Sequence, residues 1–362
     1  MQRSTLVDVA AAAGVSISTA SRVLNGGAAV TAEPAVRVRR AAEELGYRPN
    51  PQARSLRTGR DTTIGLVVED FNVALFARIA SAVAAVAESR GVHVVIATSG
   101  TGGSEQHGIE ALATRNVAGL VVAEGRAGSG YLEGVGRTRP LVVLDAARPH
   151  PAIDTVTVDN HGGGRQATER LIAHGHTSIA FVGSHPSART VRRRYEGYVE
   201  ALAAAGLPLC PELVVWAGHG PEEATTSLRA VVPTWRGVTA AFTAVERTTA
   251  GLLTALDEAG LRNSVEVMCF DDMDLGAVVT PPLSALAQNA QSIGRHATEM
   301  LFERIDGLGS PARHVQVPLT LVDRGSDRAG GPAPAAERDP DAHPPTPLAA
   351  APASVSEERE IR

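Results

Sequence analysis

The sequence predicts a small all-α head, a larger α/β core of two lobes with parallel sheets, and a disordered C-terminal tail. Three observations lead to this fold class. Residues 1–48 read as short helices separated by tight turns. From residue 63 to about 324, short apolar strand candidates alternate with longer helical segments, which is typical of parallel sheets covered by helices. Residues 325–362 are rich in proline and alanine and poor in aliphatic side chains, so they cannot form a core.

The composition limits the class of protein. The chain has 362 residues, 44% of them hydrophobic and 20% charged. It contains no run of about 18 uncharged apolar residues, so we expect neither a membrane span nor a membrane partner. Asp8 interrupts the apolar N-terminal run, so we expect no secretory signal. Two cysteines, Cys210 and Cys269, are too few for a disulfide framework or a Cys-rich zinc site. We therefore expect a cytoplasmic protein without metal or cofactor.

The charge is distributed unevenly along the chain. The formal net charge is −5, and arginine supplies all 34 basic side chains because lysine is absent. Residues 1–60 hold nine arginines against four acidic residues, whereas the rest holds 25 arginines against 35 acidic residues. The net charge argues against a uniformly basic nucleic-acid binder, but it conceals a basic head on an acidic body.

The head begins with two helix signals separated by a turn. Thr5 followed by Asp8 resembles a capping box, and Gly14 can adopt the left-handed conformation that ends a helix. Ser16 can cap a second helix that continues to about Leu24. This order is the helix-turn-helix arrangement, whose second helix enters the DNA major groove. An ordinary helical hairpin in a lid would show the same pattern, so the motif alone leaves DNA binding open.

A third helix, residues 32–45, is predicted between Thr31 and Gly46. We expect the three helices to share a small apolar core. Its predicted members are Leu6, Val9, Ala10, Ala13, Ile17, Ala20, Val23, Leu24, Val36, Val38, Ala41, Ala42 and Leu45.

The body contains more strand candidates than one sheet holds comfortably, which predicts two lobes. The strand candidates are Ile64–Val68, Val92–Ala97, Gly119–Val122, Leu141–Leu144, Thr155–Val158, Ile179–Val182, Val214–Trp216, Ala240–Thr243 and Val265–Phe270. The helical candidates between them include Ala74–Arg90, Gly164–His174, Tyr195–Ala205 and Thr248–Gly260.

One segment formally fits a dinucleotide-binding fingerprint. Gly162, Gly164 and Ala167 match G-x-G-x-x-A after a strand, but the full fingerprint needs an acidic residue at the end of the next strand. The next strand candidate, Ile179–Val182, is followed by none. A tight strand-to-helix turn is therefore the better interpretation. The neighbouring histidines lack the spacing of metal ligands on a helix face: His174, His176 and His185.

The amino-acid sequence of the head is more specific than its helix-turn-helix pattern alone. The segments TLVDVAAAAGVSISTASRVLNG and VTAEPAVRVRRAAEELGYRPNPQARSLRTG resemble the head and hinge of the lac-repressor/galactose-repressor family of bacterial transcription regulators. The resemblance spans about residues 4–324. Further matching segments are Asp159-Asn160, Arg194–Tyr198, Phe270–Asp272 and Thr280–Leu283.

The resemblance implies a helix-turn-helix head, a hinge and a core similar to periplasmic sugar-binding proteins. The effector would bind between the two lobes, as ligands do at the carboxyl ends of strands in open α/β sheets. We expect the chain to cross between lobes near Val158, Leu286 and Val317. The implied divisions are 1–48 for the head, 49–62 for the hinge, 63–158 plus 287–317 for lobe one, 159–286 plus 318–324 for lobe two, and 325–362 for the tail.

The resemblance also implies which residues contact DNA. Base readout falls to Ile17, Ser18 and Arg22, and the planar fork of Arg22 suits guanine O6 and N7. Leu56 stands where the family wedges a leucine into the minor groove, between Arg54 and Arg57, which can reach phosphates. The residues implied to contact phosphates in the head are Leu6, Ser16, Ser21 and Asn25.

Five residues are implied to contact the effector. Arg194 and Asp271 match ligand positions of the family, while His219, Glu246 and Leu75 stand at its pocket positions. Several positions depart from the family pattern: Pro34 lies in the first turn of the third helix, Val245-Glu246 replaces the usual Asn-Asp, and Val73-Ala74 replaces the usual Asn-Pro. These core changes put a standard hexose in doubt, because hexose hydroxyls favour Asn and Asp partners.

The leading hypothesis is a transcription regulator without enzyme activity, in this family most often a repressor. It would bind a palindromic double-stranded operator as a homodimer and respond to a sugar or related metabolite. An activator, or a regulator with an atypical non-sugar effector, stays open.

A transport solute-binding protein is opposed by the DNA-binding head and by the missing secretory signal. An NAD-dependent or sugar-processing enzyme is opposed by the incomplete fingerprint. The tail holds one leucine among seven prolines, so it cannot supply the coiled coil of a tetramer.

Overall fold

The computed structural model describes residues 4–24, 31–47, 63–100, 104–125, 128–218 and 220–325. Several predicted features lie outside the described residues. They are Asn25, Arg54, Leu56, Arg57, His219 and the tail from residue 326 onward.

Three helices form the head: α1 (Leu6–Ala13), α2 (Ile17–Leu24) and α3 (Ala32–Glu44). The capping box is present, because the Thr5 amide donates to the Asp8 carboxylate at 2.7 Å and the Asp8 amide donates to the Thr5 hydroxyl at 3.3 Å. Gly14 ends α1 at φ +62°, and the Ser16 hydroxyl accepts from the Thr19 amide at the start of α2. The buried core of the head consists of Val9, Ala10, Ala13, Ala20, Val23, Val38, Ala41 and Ala42.

Three residues predicted in this core are substantially exposed. Val36 is 61% exposed, because it precedes Val38 by two residues and therefore points about 200° away around α3. Leu45 is 37% exposed, because it follows the last helical residue. Ile17, at the first position of α2, is 50% exposed.

Two six-stranded sheets form the core. The first has the order β11-β5-β4-β3-β1-β2 and is entirely parallel. The second has the order β12-β10-β9-β8-β6-β7 and is parallel except for the antiparallel pair of β10 and β12. The strands are β1 (Thr63–Val68), β2 (His93–Thr98), β3 (Leu120–Ala123), β4 (Leu141–Leu144), β5 (Asp154–Thr157), β6 (Ile179–Gly183), β7 (Val214–Trp216), β8 (Ala240–Thr243), β9 (Glu266–Phe270), β10 (Ser284–Gln288), β11 (His314–Gln316) and β12 (Leu319–Val322).

The core helices cover these sheets. They are α4 (Ala74–Ser89), α5 (Glu105–Ala113), α6 (Ser129–Gly136), α7 (Asn160–Ala173), α8 (Arg189–Ala204), α9 (Pro221–Val231), α10 (Glu246–Glu258) and α11 (Ala290–Ile305). Within the described ranges, no single helix is both long and apolar enough to cross a bilayer. The short helices α1 and α2 meet the length and composition test only as a pair, and they are bent by 103°.

The chain passes between the two sheets three times. It leaves the first sheet after β5, returns after β10, and passes from β11 directly to β12. Gln288 still pairs with Leu319 in the second sheet. Residues 287 and 288 therefore belong to the second lobe, two residues beyond the expected crossing near Leu286.

A buried carboxylate fastens the segments that precede the third crossing to the first sheet. Asp154, at the start of β5, accepts from Arg304 of α11 at 2.6 and 3.0 Å and from the Arg313 side chain at 2.7 Å. Burial alone would raise the pKa of Asp154, but the hydrogen bonds from the two arginines outweigh it and lower the pKa. The network fastens α11 and the segment before β11 to the first sheet.

Glycines allow α7 and α8 to pack backbone to backbone. A Cβ atom on Gly164 of α7 would lie 2.1 Å from the Arg194 carbonyl oxygen, and one on Gly197 of α8 would lie 2.1 Å from the His161 carbonyl oxygen. Gly164 of the fingerprint-like segment thus serves helix packing, which fixes the position of Arg194.

We expect Gly164→Ala to lower the free energy of unfolding by about 3 kcal/mol, because neither backbone can yield easily to the added methyl group. Urea denaturation measures the loss. Gly134→Ala in α6 is the matched control, since a Cβ there meets nothing within 4 Å and alanine is the better helix former by about 1 kcal/mol. Equal stability of the two variants would contradict the close packing of α7 and α8.

Candidate DNA-binding head and inter-lobe cleft

The outer face of α2 presents the predicted base-reading residues. Ile17, Ser18 and Arg22 are all exposed, and Ile17 is 50% exposed despite being apolar. Ser18 and Arg22 lie opposite the buried Ala20 on the helix. The Ser18 hydroxyl lies 2.8 Å from the Ser16 hydroxyl at the start of α2. This face offers an apolar group, a hydroxyl and a guanidinium to a partner.

The residues predicted to contact phosphates differ in how exposed they are. Ser16 is exposed, and Leu6 is half-buried against the head core at the first position of α1, where its amide is free of intrahelical bonds. Ser21 was expected on the outer face but is only 6% exposed. It lies about 100° from Ala20 around α2, at the flank of the buried face, so its side chain does not reach the surface.

Acidic residues follow four strands at their carboxyl ends. Glu69 follows β1, Glu124 follows β3, Asp145 follows β4 and Asp271 follows β9. Asp145 and Asp271 adopt φ values of +52° and +75°, which side chains other than glycine rarely take. Both sheets direct these ends toward one cleft, as expected for ligand sites of open α/β sheets.

A cavity of about 130 Å³ lies in this cleft between the two lobes. Four of the predicted effector residues line it: Leu75 from the first lobe, and Arg194, Glu246 and Asp271 from the second. The predicted His219 lies outside the described residues. The cavity therefore brings together every predicted effector residue that the structure describes.

The floor of the cavity is built around the buried guanidinium of Arg194. Its Nε donates to the Asn160 side chain at 2.8 Å, and its Nη1 donates to the Ala244 carbonyl at 2.6 Å. The guanidinium carbon lies 3.6 Å from the centre of the Phe270 ring, and Nη1 lies 3.9 Å from the Asp271 carboxylate. Burial raises the pKa of Asp271, while Arg194 and a 2.8 Å hydrogen bond from Gln288 act in the opposite direction.

Asp145 presents an unsatisfied acceptor to the same cavity. Its Oδ1 is buried and has no hydrogen-bond partner among the described residues. The pKa of Asp145 is raised to about 7. Burial is the main cause, the neighbouring carboxylates of Asp271, Glu69 and Glu124 also raise the pKa, and Arg194 opposes them. An orphaned buried carboxyl oxygen is costly and is satisfied when a ligand donates to it.

Charged side chains connect the lobes across the cleft. Arg189 donates to Glu124 at 2.9 Å, and Arg247 approaches Glu69 at 3.4 Å. Arg78 of α4 pairs with Asp274, which follows β9. The carboxylate of Glu246 also accepts from the amide of Ala74 at the start of α4, although burial and nearby acids raise its pKa. These contacts hold the two lobes together in the structure.

Several lining residues were not predicted from the sequence: Glu69, Glu124, Asp145, Arg189, Arg247 and Gln288. The three acidic residues could have been predicted from the sequence, because each follows an apolar strand candidate. The arginines carried none, since they stand in helices with no distinctive spacing. In the described ranges, no group of three or more His, Cys, Asp or Glu side chains is arranged to hold a metal ion.

The sequence matches two family models. Residues 5–50 match the model of bacterial regulatory proteins of the lacI family, and residues 168–326 match a periplasmic binding protein-like domain. Among solved structures, the lac repressor dimer bound to operator and the anti-inducer ONPF has a TM-score of 0.80 at 25% identity, covering 91% of this chain and 100% of that one. A complex of the transcriptional regulator CelR with cellobiose has a TM-score of 0.66 at 31% identity, covering 90% and 100%.

Curated relatives agree with these matches. The HTH-type transcriptional regulator CelR of Thermobifida fusca is 34% identical over 324 residues, which cover 84% of this chain and 93% of the relative. The HTH-type transcriptional repressor PurR of Pasteurella multocida is 30% identical, covering 89% and 98%. The relatives are transcription regulators, and the chain belongs to the lacI family of bacterial regulatory proteins.

Proposed function

We propose that this protein is a DNA-binding transcription repressor whose operator affinity is set by a small metabolite bound between the core lobes. The observation that carries this proposal is the presence in one chain of a three-helix head with an exposed polar α2 face and of a two-lobed core with a charged cavity. Residues 1–48 would bind the operator, 49–62 would form the hinge, and 63–324 would bind the effector. The protein would act in the cytoplasm by binding alone, without enzyme activity.

The cavity favours an effector that carries several hydroxyl groups. Asp145 has a buried oxygen without a donor, and Asp271 and Glu246 add further acceptors, while Arg194 can donate. Carboxylates and guanidinium groups together satisfy hydroxyls, which both donate and accept. A relative was solved with cellobiose, which makes a sugar the first ligand to test.

The core offers a surface for a homodimer. Strand β2 lies at the edge of the first sheet, where Ile96 is 39% exposed. Leu275 and Val278, after β9, are 63% and 72% exposed. Open sheet edges and neighbouring exposed apolar side chains are candidate contact surfaces between subunits, and two-fold symmetry would match a palindromic operator. The solved lac repressor is a dimer on its operator. The single leucine in the proline-rich tail favours a dimer over a coiled-coil tetramer.

We expect Arg22→Ala to relax the preference for one symmetric pair of guanines in the operator. The planar guanidinium makes the bidentate contact that discriminates guanine by about 1–3 kcal/mol. Selection of binding sites from random DNA, with wild type and variant side by side, measures the change.

Arg39→Ala is the matched control for this experiment. It removes the same charge from an exposed position on α3 and leaves α2 intact. The control should weaken all DNA alike and select the wild-type motif. Identical motifs from Arg22→Ala and wild type would show that Arg22 does not read a base.

We expect Asp271→Asn to weaken effector binding by about 1–3 kcal/mol while sparing operator binding, because the carboxylate acceptor is lost at the cavity and the head is unchanged. Calorimetric titration with cellobiose and a metabolite panel measures affinity. The control is Asp257→Asn at an exposed position of α10 outside the cavity. If Asp271→Asn titrates like wild type, the effector binds elsewhere.

The raised pKa of Asp145 predicts a pH dependence of stability. Between its ordinary value of 3.8 and about 7, the unfolded chain has released a proton that the folded protein keeps, so stability falls as the pH rises. Asp145→Asn removes this loss. Its free energy of unfolding, relative to wild type, should therefore increase between about pH 5 and about pH 8.

Asp154→Asn serves as the comparison. Because the pKa of Asp154 is lowered, its stabilisation is present above 3.8 and lost only as the pH falls through its folded pKa. This variant should be destabilised by similar amounts at both pH values. Urea denaturation measures both variants, and a constant difference for Asp145→Asn would refute the assignment.

A further inference from the structure

A second cavity opens beside the ligand cleft and carries an excess of arginine. We call it the outer crevice. It has a volume of about 450 Å³ and is formed by the loop after β4 in the first lobe and by the start of α8 in the second. Four arginines line it, together with Glu124, Glu196 and His150.

Two of the four arginines have their charge compensated. Arg189 donates to Glu124, and Arg193 pairs with Glu196. Arg148 of the first lobe and Arg192 of the second are exposed, and neither has an ion-pair or hydrogen-bond partner among the described residues. The outer crevice therefore has two uncompensated guanidinium groups, one from each lobe.

The start of α8 strengthens this positive potential. The N-cap residue is Ala188, which has no side chain to accept from the first amides of the helix, and the first turn holds no acidic residue. Helix N-termini carry partial positive charge and disfavour cations. Arginines at this end of α8 are consequently placed where an anion, and not another cation, is stabilising.

His150 supplies a buried polar group to the same crevice. Its side chain is 3% exposed, and Nδ1 has no hydrogen-bond partner among the described residues. Nε2 lies 3.5 Å from the Glu124 carboxylate, and it too makes no hydrogen bond within the described residues. A buried ring nitrogen without a partner is costly unless a bound group contacts it.

The outer crevice is continuous with the ligand cleft. Glu124, Ser187 and Arg189 line both cavities, and the Glu124–Arg189 pair stands between them. A group bound in the crevice would thus lie next to an effector in the cleft and would contact both lobes.

We propose that the outer crevice binds a phosphoryl group, which Arg148 and Arg192 hold from opposite lobes with the free amides of α8 and His150. Guanidinium groups bind phosphate oxygens by short, paired hydrogen bonds. The phosphoryl group belongs either to a phosphorylated sugar whose ring occupies the cleft or to free phosphate bound beside a neutral effector. In both cases it stabilises the closed arrangement of the lobes. This inference rests on the proposed effector role of the cleft.

The test is calorimetric titration of the full chain with inorganic phosphate at constant ionic strength set by sodium chloride. We expect saturable binding that weakens about tenfold or more in Arg148→Gln and in Arg192→Gln, since each loses a charge-assisted contact. Arg137→Gln in the first lobe and Arg236→Gln in the second are matched controls at exposed positions outside the crevice. The controls should bind phosphate like wild type.

Two further titrations identify the source of the phosphoryl group. If glucose 6-phosphate binds more tightly than phosphate and competes with it, the group is part of the effector. If cellobiose and phosphate bind together, phosphate is a separate ligand. Absence of saturable phosphate binding, or equal binding by all five proteins, overturns the proposal. Operator selection by Arg22→Ala does not involve the crevice, so a failure here is distinguishable from a failure of the proposed DNA-binding function.

Discussion

The buried guanidinium of Arg194 is the group on which the second lobe and its side of the inter-lobe cavity both depend. Removing a cation from water is costly unless its donors find acceptors and a counter-charge lies close by. Arg194 meets this requirement through the Asn160 side chain, the Ala244 carbonyl, the Phe270 ring and Asp271. These partners come from the start of α7, the end of β8 and the end of β9, so one side chain fixes the elements that surround the cavity.

The parallel sheets impose the chemistry of the cleft. Because the carboxyl ends of their strands meet there, the residues that follow β1, β3, β4 and β9 all face one space, and all four are acidic. Such a cluster is tolerated only with counter-charges. Arg189 of α8 and Arg247 of α10 bring them from the opposite lobe to Glu124 and Glu69. The carboxylates of the first lobe are therefore neutralised only when the second lobe lies close to them. The charge that the cleft presents to a ligand thus depends on the distance between the lobes.

Features of the fold that depend on neighbouring residues were predictable from the sequence, whereas strands that form only by pairing with distant segments were not. The capping box at Thr5 and Asp8, the Gly14 turn and the apolar strands needed only neighbouring residues. Strands β10, β11 and β12 were missed because their short, mixed sequences become strands only by pairing with distant partners. Val36 was wrongly predicted to be buried and Ser21 to be exposed. Which way such a residue faces depends on the rotation of its helix against the core. No sequence pattern marked Arg148 and Arg192 as neighbours, because only the tertiary structure brings them to one crevice.

The two sheets are closed by strands that come late in the chain, and this order has a consequence for synthesis. Strand β11 completes the first sheet and β12 completes the second, at residues 314–322. The core of the head, in contrast, is complete by Ala42. Since domains fold as units while the chain leaves the ribosome from its N-terminus, a nascent chain carries a finished head long before either lobe can close. In a nascent chain the head is therefore folded before the inter-lobe cleft exists, because that cleft needs both completed sheets.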